Sequence, residues 1–123
     1  MTKEQAIQKF WESFDIPAYD EQTVPDDAVM PYITYNIVTD SIGNVVNLAG
    51  SIWYRSTSWR LVTEKANQIA KYVGEYGFAR YKLSDGYMWI AKGTPFSQRL
   101  SDPEDDMIRR IYINLQAEFL TAY

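Results

Sequence analysis

Apolar residues near the start of the chain recur at helical spacing: Ile7, Phe10, Trp11 and Phe14 fall at i, i+3, i+4 and i+7, one stripe on a helix of about three turns. Thr2 with Gln5 has the form of a capping box. Pro17 stops the helix just past Phe14. Residues 15–31 are rich in acids and hold three of the five prolines, which predicts a surface connection, either solvated or ordered against a neighbour.

The pattern then changes to alternation. Tyr32-Ile33-Thr34-Tyr35-Asn36-Ile37-Val38-Thr39 is β-branched and aromatic, with Ile33, Tyr35 and Ile37 on one face. A turn at Ser41-Ile42-Gly43-Asn44 leads to a second strand over 45–55, whose Val46, Leu48, Ile52 and Tyr54 share a side. The two strands form a hairpin. Gly50 leaves a gap among those side chains, marking a bulge or a close approach by another element such as a packed helix.

Ser58 caps a second predicted helix ending at about residue 73, with Leu61, Val62, Ile69, Ala70 and Val73 as its buried stripe and Gly74 and Gly77 as its stop. Two short strands, 78–83 and 87–92, meet at Ser84-Asp85-Gly86, where Asp-Gly favours a tight turn. The last strand has the cleanest alternation. Met107, Arg109, Ile111, Ile113, Leu115, Ala117 and Phe119 alternate with Ile108, Arg110, Tyr112, Asn114, Gln116 and Glu118, and from Ile111 onward one face is apolar.

The order α-β-β-α-β-β-β predicts a single α+β domain over 1–123: a mostly antiparallel sheet of about five strands with two helices packed on one face. The fourteen residues 93–106 form a connection long for a compact domain, so they are expected to be functional or mobile. Phe96 and Leu100 within it either fold back onto the core or meet a partner.

Composition changes what such a domain is expected to do. The chain has no histidine and no cysteine, which removes the usual neutral-pH base, thiol nucleophiles and the common zinc and iron-sulfur ligand sets. The acidic runs Asp20-Glu21, Asp26-Asp27 and Asp102-Pro103-Glu104-Asp105-Asp106 lack calcium-loop spacing and read as solvated turns. No phosphate-binding or dinucleotide glycine motif occurs, nor any Ser-x-x-Lys. A non-enzymatic protein with no cofactor is expected. Only a metal-dependent activity lost on replacing Asp105 and Asp106 would revive an enzyme reading.

Net charge is −4, and residues 1–27 hold seven of the 16 acids against only Lys3 and Lys9. No apolar run approaches the ~20 residues that span a bilayer, and the polar N-terminus has no secretory core, so a cytoplasmic protein is expected. Four tryptophans, ten tyrosines and five phenylalanines are an aromatic excess. Some alternate with bases, around Trp53 to Arg60 and in Arg80-Tyr81-Lys82 with Tyr87-Met88-Trp89. Such a face stacks single-stranded nucleic acid or buries area against a protein. The absence of a positive field favours the protein.

The N-terminal amphipathic helix, Pro31-Tyr32-Ile33-Thr34-Tyr35, Ile52-Trp53-Tyr54-Arg55-Ser56, and Gly93-Thr94-Pro95-Phe96 through Arg110-Ile111-Tyr112 together resemble the small tail-completion proteins of long-tailed phages and prophages. More narrowly, they resemble the tail terminator or tail-to-head joining group of phages of Gram-positive bacteria. The resemblance implies a structural protein that forms a ring, commonly of six copies, capping the tail tube and facing the head connector. Its partners would be copies of itself, the tail tube protein and a head-completion protein, with DNA passing through the ring without specific binding. It would reside in the host cytoplasm during assembly and then at the tail-head junction of the virion.

A domain of this length has a radius of gyration near ~14 Å and a diameter of about 35 Å, so six in a ring leave an opening of about the same width. Ring contacts are heterologous and need two complementary patches. The expected subunit-interface residues are Phe96, Arg99, Leu100 and Arg110, with Asp26 and Asp27 as acidic complements and Trp53 and Trp59 as aromatic area. The competing expectation is a small intracellular binding module or regulator that takes a peptide or single-stranded nucleic acid on its aromatic sheet face.

Overall fold

Thr2 caps the first helix, α1 (Lys3–Trp11), by the predicted box: its hydroxyl accepts from the Gln5 amide at 3.1 Å and the Gln5 side chain accepts from the Thr2 amide at 2.9 Å. The helix tightens into a 3-10 turn, Glu12–Phe14, and ends at Asp15 in the left-handed region. Ile7, Phe10, Trp11 and Phe14 are all buried. The chain then forms β1 (Ala18–Asp20), β2 (Tyr32–Tyr35), β3 (Val45–Arg55), α2 (Arg60–Gly74), β4 (Ala79–Leu83), β5 (Gly86–Ser101) and β6 (Ile108–Thr121). This computed structural model describes residues 1–36, 45–74 and 79–121. The predicted turn at 41–44, the positions Ile37, Val38 and Thr39, and Gly77 and Phe78 lie outside the described residues.

The class is α+β, with one six-stranded sheet in the order β1-β2-β3-β6-β5-β4 and every pairing antiparallel except β1 with β2. Five strands were expected and the order differs by one element. The additional strand is β1, inside the predicted surface connection: Pro17 ends the helical stretch, its carbonyl accepts from the Ile33 amide at 2.8 Å, and Tyr19 falls opposite Thr34.

A second correction concerns 93–106. The chain stays in the sheet through Ser101, paired with β6, and only 102–107 connects the last two strands. Gly93 and Pro95 do not end the strand because a bulge absorbs them. Lys92 pairs with Leu115 and Ser97 with Ile113, so four residues sit opposite Asn114 alone.

Both helices cover the same face. Val62, Ala66, Ile69 and Val73 of α2, the buried residues of α1, and Ile33, Leu48, Ile52, Met88, Ile90, Ile113 and Leu115 from the strands make one core. Leu61, expected in the α2 stripe, is exposed, and Ala70 is only half-buried; Ala66 fills the place between Val62 and Ile69. The helix begins one residue later than a Ser58 cap implies: the Trp59 carbonyl accepts its first bond, from the Thr63 amide at 3.0 Å, and Ser58, one position earlier, accepts from the Arg60 amide at 3.0 Å. Lys65 ties the helices together by donating to the Phe14 carbonyl at 2.7 Å. Gly50 explains itself: a Cβ there would lie 2.8 Å from the Trp11 ring and 3.0 Å from the Thr34 carbonyl oxygen. It is the close approach anticipated for a packed helix.

Tyr72 and Tyr81 share a hydrogen bond of 2.9 Å between hydroxyls on the helix side of the sheet. Burial, and then the Tyr72 hydroxyl, push the Tyr81 phenol well above its ordinary value. Burial likewise raises Tyr35 and Tyr54. A raised folded-state value means the native state holds the proton more tightly than the unfolded chain. The stabilisation is complete below the ordinary tyrosine pKa of about 10 and is lost as the pH rises toward the folded values, by up to about 1.4 kcal/mol per pH unit and proton. Urea unfolding should show a lower midpoint at pH 11 than at pH 8. Tyr81→Phe should shrink that difference, and an unchanged difference would mean Tyr81 does not carry it.

Candidate functional site

The side of the sheet away from the helices carries an aromatic and polar row at one end. Strand alternation puts Ile33, Ile52 and Ile111 into the core, and therefore Tyr32, Trp53 and Arg110 outside it; Tyr32 pairs with Trp53, Trp53 with Arg110, and Arg110 with Leu100. Tyr19 of β1 extends the row, its ring centroid 5.8 Å from that of Tyr32, and Tyr32 and Trp53 are 6.4 Å apart. Two hydrogen bonds fix the middle: Trp53 Nε1 donates to Thr34 Oγ1 at 2.9 Å, and Arg110 Nε donates to Ser51 Oγ at 3.0 Å. The Arg110 guanidinium lies over the Trp53 ring, 4.5 Å from its centroid. Trp53, Leu100 and Arg110, with Pro103 and Ile108, line a hollow of about 120 Å³.

The eight expected residues do not form one patch. Trp53, Leu100 and Arg110 come together on this open face. Arg99 and Trp59 meet on the other side of the same end of the sheet, where Trp59, just before α2, lies between the guanidinium groups of Arg99 at 5.0 Å and Arg109 at 5.3 Å. Arg109 also donates to the Thr57 carbonyl at 3.2 Å. Phe96 sits in the bulge, half-buried against the core, with the Lys92 ammonium 5.6 Å from its ring centroid. Asp26 and Asp27 are exposed in the segment between β1 and β2, the two strands at one end of the sheet order, apart from both groups.

The bulge decides this partition. Between Lys92/Leu115 and Ser97/Ile113 the register shifts by three residues, an odd number, which exchanges the two faces of the strand. Arg99 thereby lands opposite Ile111 on the helix side and Leu100 opposite Arg110 on the open side. Nearby, Arg55 and Asp105 form an ion pair of 2.6 Å, and Asp105 accepts from the Met107 amide at 2.9 Å. That amide and then the Arg55 guanidinium hold the Asp105 carboxyl below its ordinary value, which makes Asp105 an anchor for the last connection.

Several residues of the open face were missed or left unplaced by sequence reasoning. Tyr32 and Thr34 were implied by the alternation that puts Ile33 and Tyr35 inside. Tyr19 had no signal, since a three-residue strand after a proline has too few positions to show a period. At the opposite end of the open face, Arg80, Lys82, Tyr87 and Trp89, recognised as a basic and aromatic alternation, line a hollow of about 420 Å³ with Tyr81. No helix among the described residues is long and apolar enough to cross a membrane. The chain matches no known family model and no curated protein.

Proposed function

We propose that the protein is a non-enzymatic tail-completion component of a phage or prophage that closes into a ring, six copies giving the opening estimated above, between tail tube and head connector. The observation that carries this reading is the open sheet face. Six strands present a surface that neither helix covers, and one end of it carries a row of Tyr32, Trp53, Arg110 and Leu100. Tyrosine, tryptophan and arginine dominate the energetics of protein interfaces, and here hydrogen bonds and ring contacts hold Trp53 and Arg110 in place before any partner arrives. Such a preorganised patch loses less side-chain entropy on binding.

Sedimentation across a concentration series tests the reading. The wild-type chain should self-associate, and Trp53→Ala should weaken association about tenfold or more while leaving the far-ultraviolet spectrum unchanged. Equal association of the two proteins would remove Trp53 from the interface; a monomer at every concentration would remove the ring. A second reading rests on the 420 Å³ hollow, where bases and rings stand together as in a module that stacks single-stranded nucleic acid. Saturable binding of an oligo(dT) at physiological salt would favour it.

A further inference from the structure

The sheet order places two complementary features at opposite edges. β1 and the acidic segment that follows it lie at one edge, and β4, with Arg80 and Lys82, lies at the other. Arg80 and Lys82 are exposed on the open face, opposite Trp89 and Tyr87 of β5, and neither makes an ion pair or hydrogen bond among the described residues. Glu118, next to Trp89 in the same row, balances part of this charge. Tyr87, at the wall of the hollow of about 420 Å³, is 49% exposed.

The acidic segment has matching chemistry. Asp26 and Asp27 are exposed and without ion-pair partners among the described residues, and two residues on Val29 is 78% exposed, the most exposed large apolar side chain among those residues. An apolar side chain held out beside two carboxylates is complementary to a hollow with two aromatic walls and two cations. Within one chain four strands stand between β1 and β4. Five strand spacings of ~4.8 Å separate the edges, roughly 24 Å along the sheet, and the helices occupy its other face.

We propose that the 20–29 segment of one copy docks into the hollow of the next copy, with Asp26 and Asp27 facing Arg80 and Lys82, and Val29 against Tyr87 and Trp89. The inference rests on the ring reading above and supplies its head-to-tail contact. A patch on one edge meeting a different patch on the opposite edge repeats from copy to copy and closes where the rotation allows. It also moves the acidic partner away from Arg99 and Arg110, whose guanidinium groups already lie against tryptophan rings.

Charge exchange tests the contact with folded proteins, since all four charged positions are exposed. Arg80→Glu/Lys82→Glu should raise the concentration for half-assembly about ten- to a hundredfold, and Asp26→Lys/Asp27→Lys should do the same. Mixing the two variants should restore assembly, because each loop then meets a hollow of opposite sign. Assembly of both variants at the wild-type concentration, or a mixture no better than its components, overturns the contact while leaving the ring intact. A wild-type chain that stays monomeric throughout overturns the ring reading and the contact together. Fluorescein-labelled oligo(dT) that binds the wild type and is lost in Arg80→Glu/Lys82→Glu, with assembly unchanged, assigns the hollow to nucleic acid instead.

Discussion

Replacing Trp11 with alanine should cost about 3–5 kcal/mol, a large part of the 5–15 kcal/mol that stabilises a domain of this kind, and lower Tm by about 10–20 °C. Trp11 is fully buried, stacks near-parallel on Tyr35 at 6.2 Å between centroids, and fills the space that Gly50 leaves open. Its removal leaves a cavity between α1 and the β2–β3 pair that rigid strands cannot collapse into. Trp11→Phe should be milder. The indole Nε1 is buried with no partner among the described residues, so losing it offsets part of the lost packing. Gly50→Ala should be destabilising in the wild type, where the new Cβ meets the Trp11 ring, and less so beside Trp11→Ala. A double-mutant cycle by urea unfolding should show a coupling of about 1 kcal/mol or more; strict additivity would mean the ring does not set the need for glycine.

Gly93→Ala should cost about 3 kcal/mol, at the upper end for overpacking. A Cβ there would lie 2.7–2.8 Å from the Asn114 side chain and 2.8 Å from its carbonyl oxygen, and that oxygen belongs to the central strand β6, which cannot retreat without disturbing β3. The effect should reach beyond stability. The bulge turns Leu100 to the open face and Arg99 to Trp59, so a shifted bulge misplaces both. Trp59 fluorescence near Arg99 and Arg109 should change in Gly93→Ala along with the unfolding midpoint. A variant as stable as wild type would mean the bulge has room that its geometry does not indicate.

These two positions mark where the sequence was legible and where it was not. Gly50 stood out because it interrupts a strand whose other core-facing residues are large, and a single gap in a periodic pattern has a local meaning. The α1 stripe, its cap and the alternation of β6 were readable for the same reason. Gly93 and Pro95 carry the local signature of a loop. Only the pairing with β6, which no local pattern records, shows that the strand continues past them. The candidate residues were split by the same cause: Arg99, Leu100 and Arg110 were identifiable as types, but the face each occupies depends on a register shift of odd length. Leu61 was assigned inward from hydrophobicity, yet the helix settles on Val62, Ala66, Ile69 and Val73, which share one line along its axis.

The open face gains its meaning from the contrast between the sheet's two sides. One side is a core sealed by the two helices, and the other keeps Trp53, Tyr32 and Arg110 at partly exposed positions with hydrogen bonds already made by Trp53 and Arg110. Among the described residues Asp26 and Asp27, between the first two strands of the sheet, and Arg80 and Lys82, on the last, make no ion pair; in the proposed ring they would give that face a direction from subunit to subunit.

Electron microscopy of the purified chain at the concentration where sedimentation shows assembly tests the central claim most directly. The account predicts closed rings of one copy number, with a central opening of about 35 Å if that number is six. Two-fold dimers joined through like faces, or monomers alone, would contradict it.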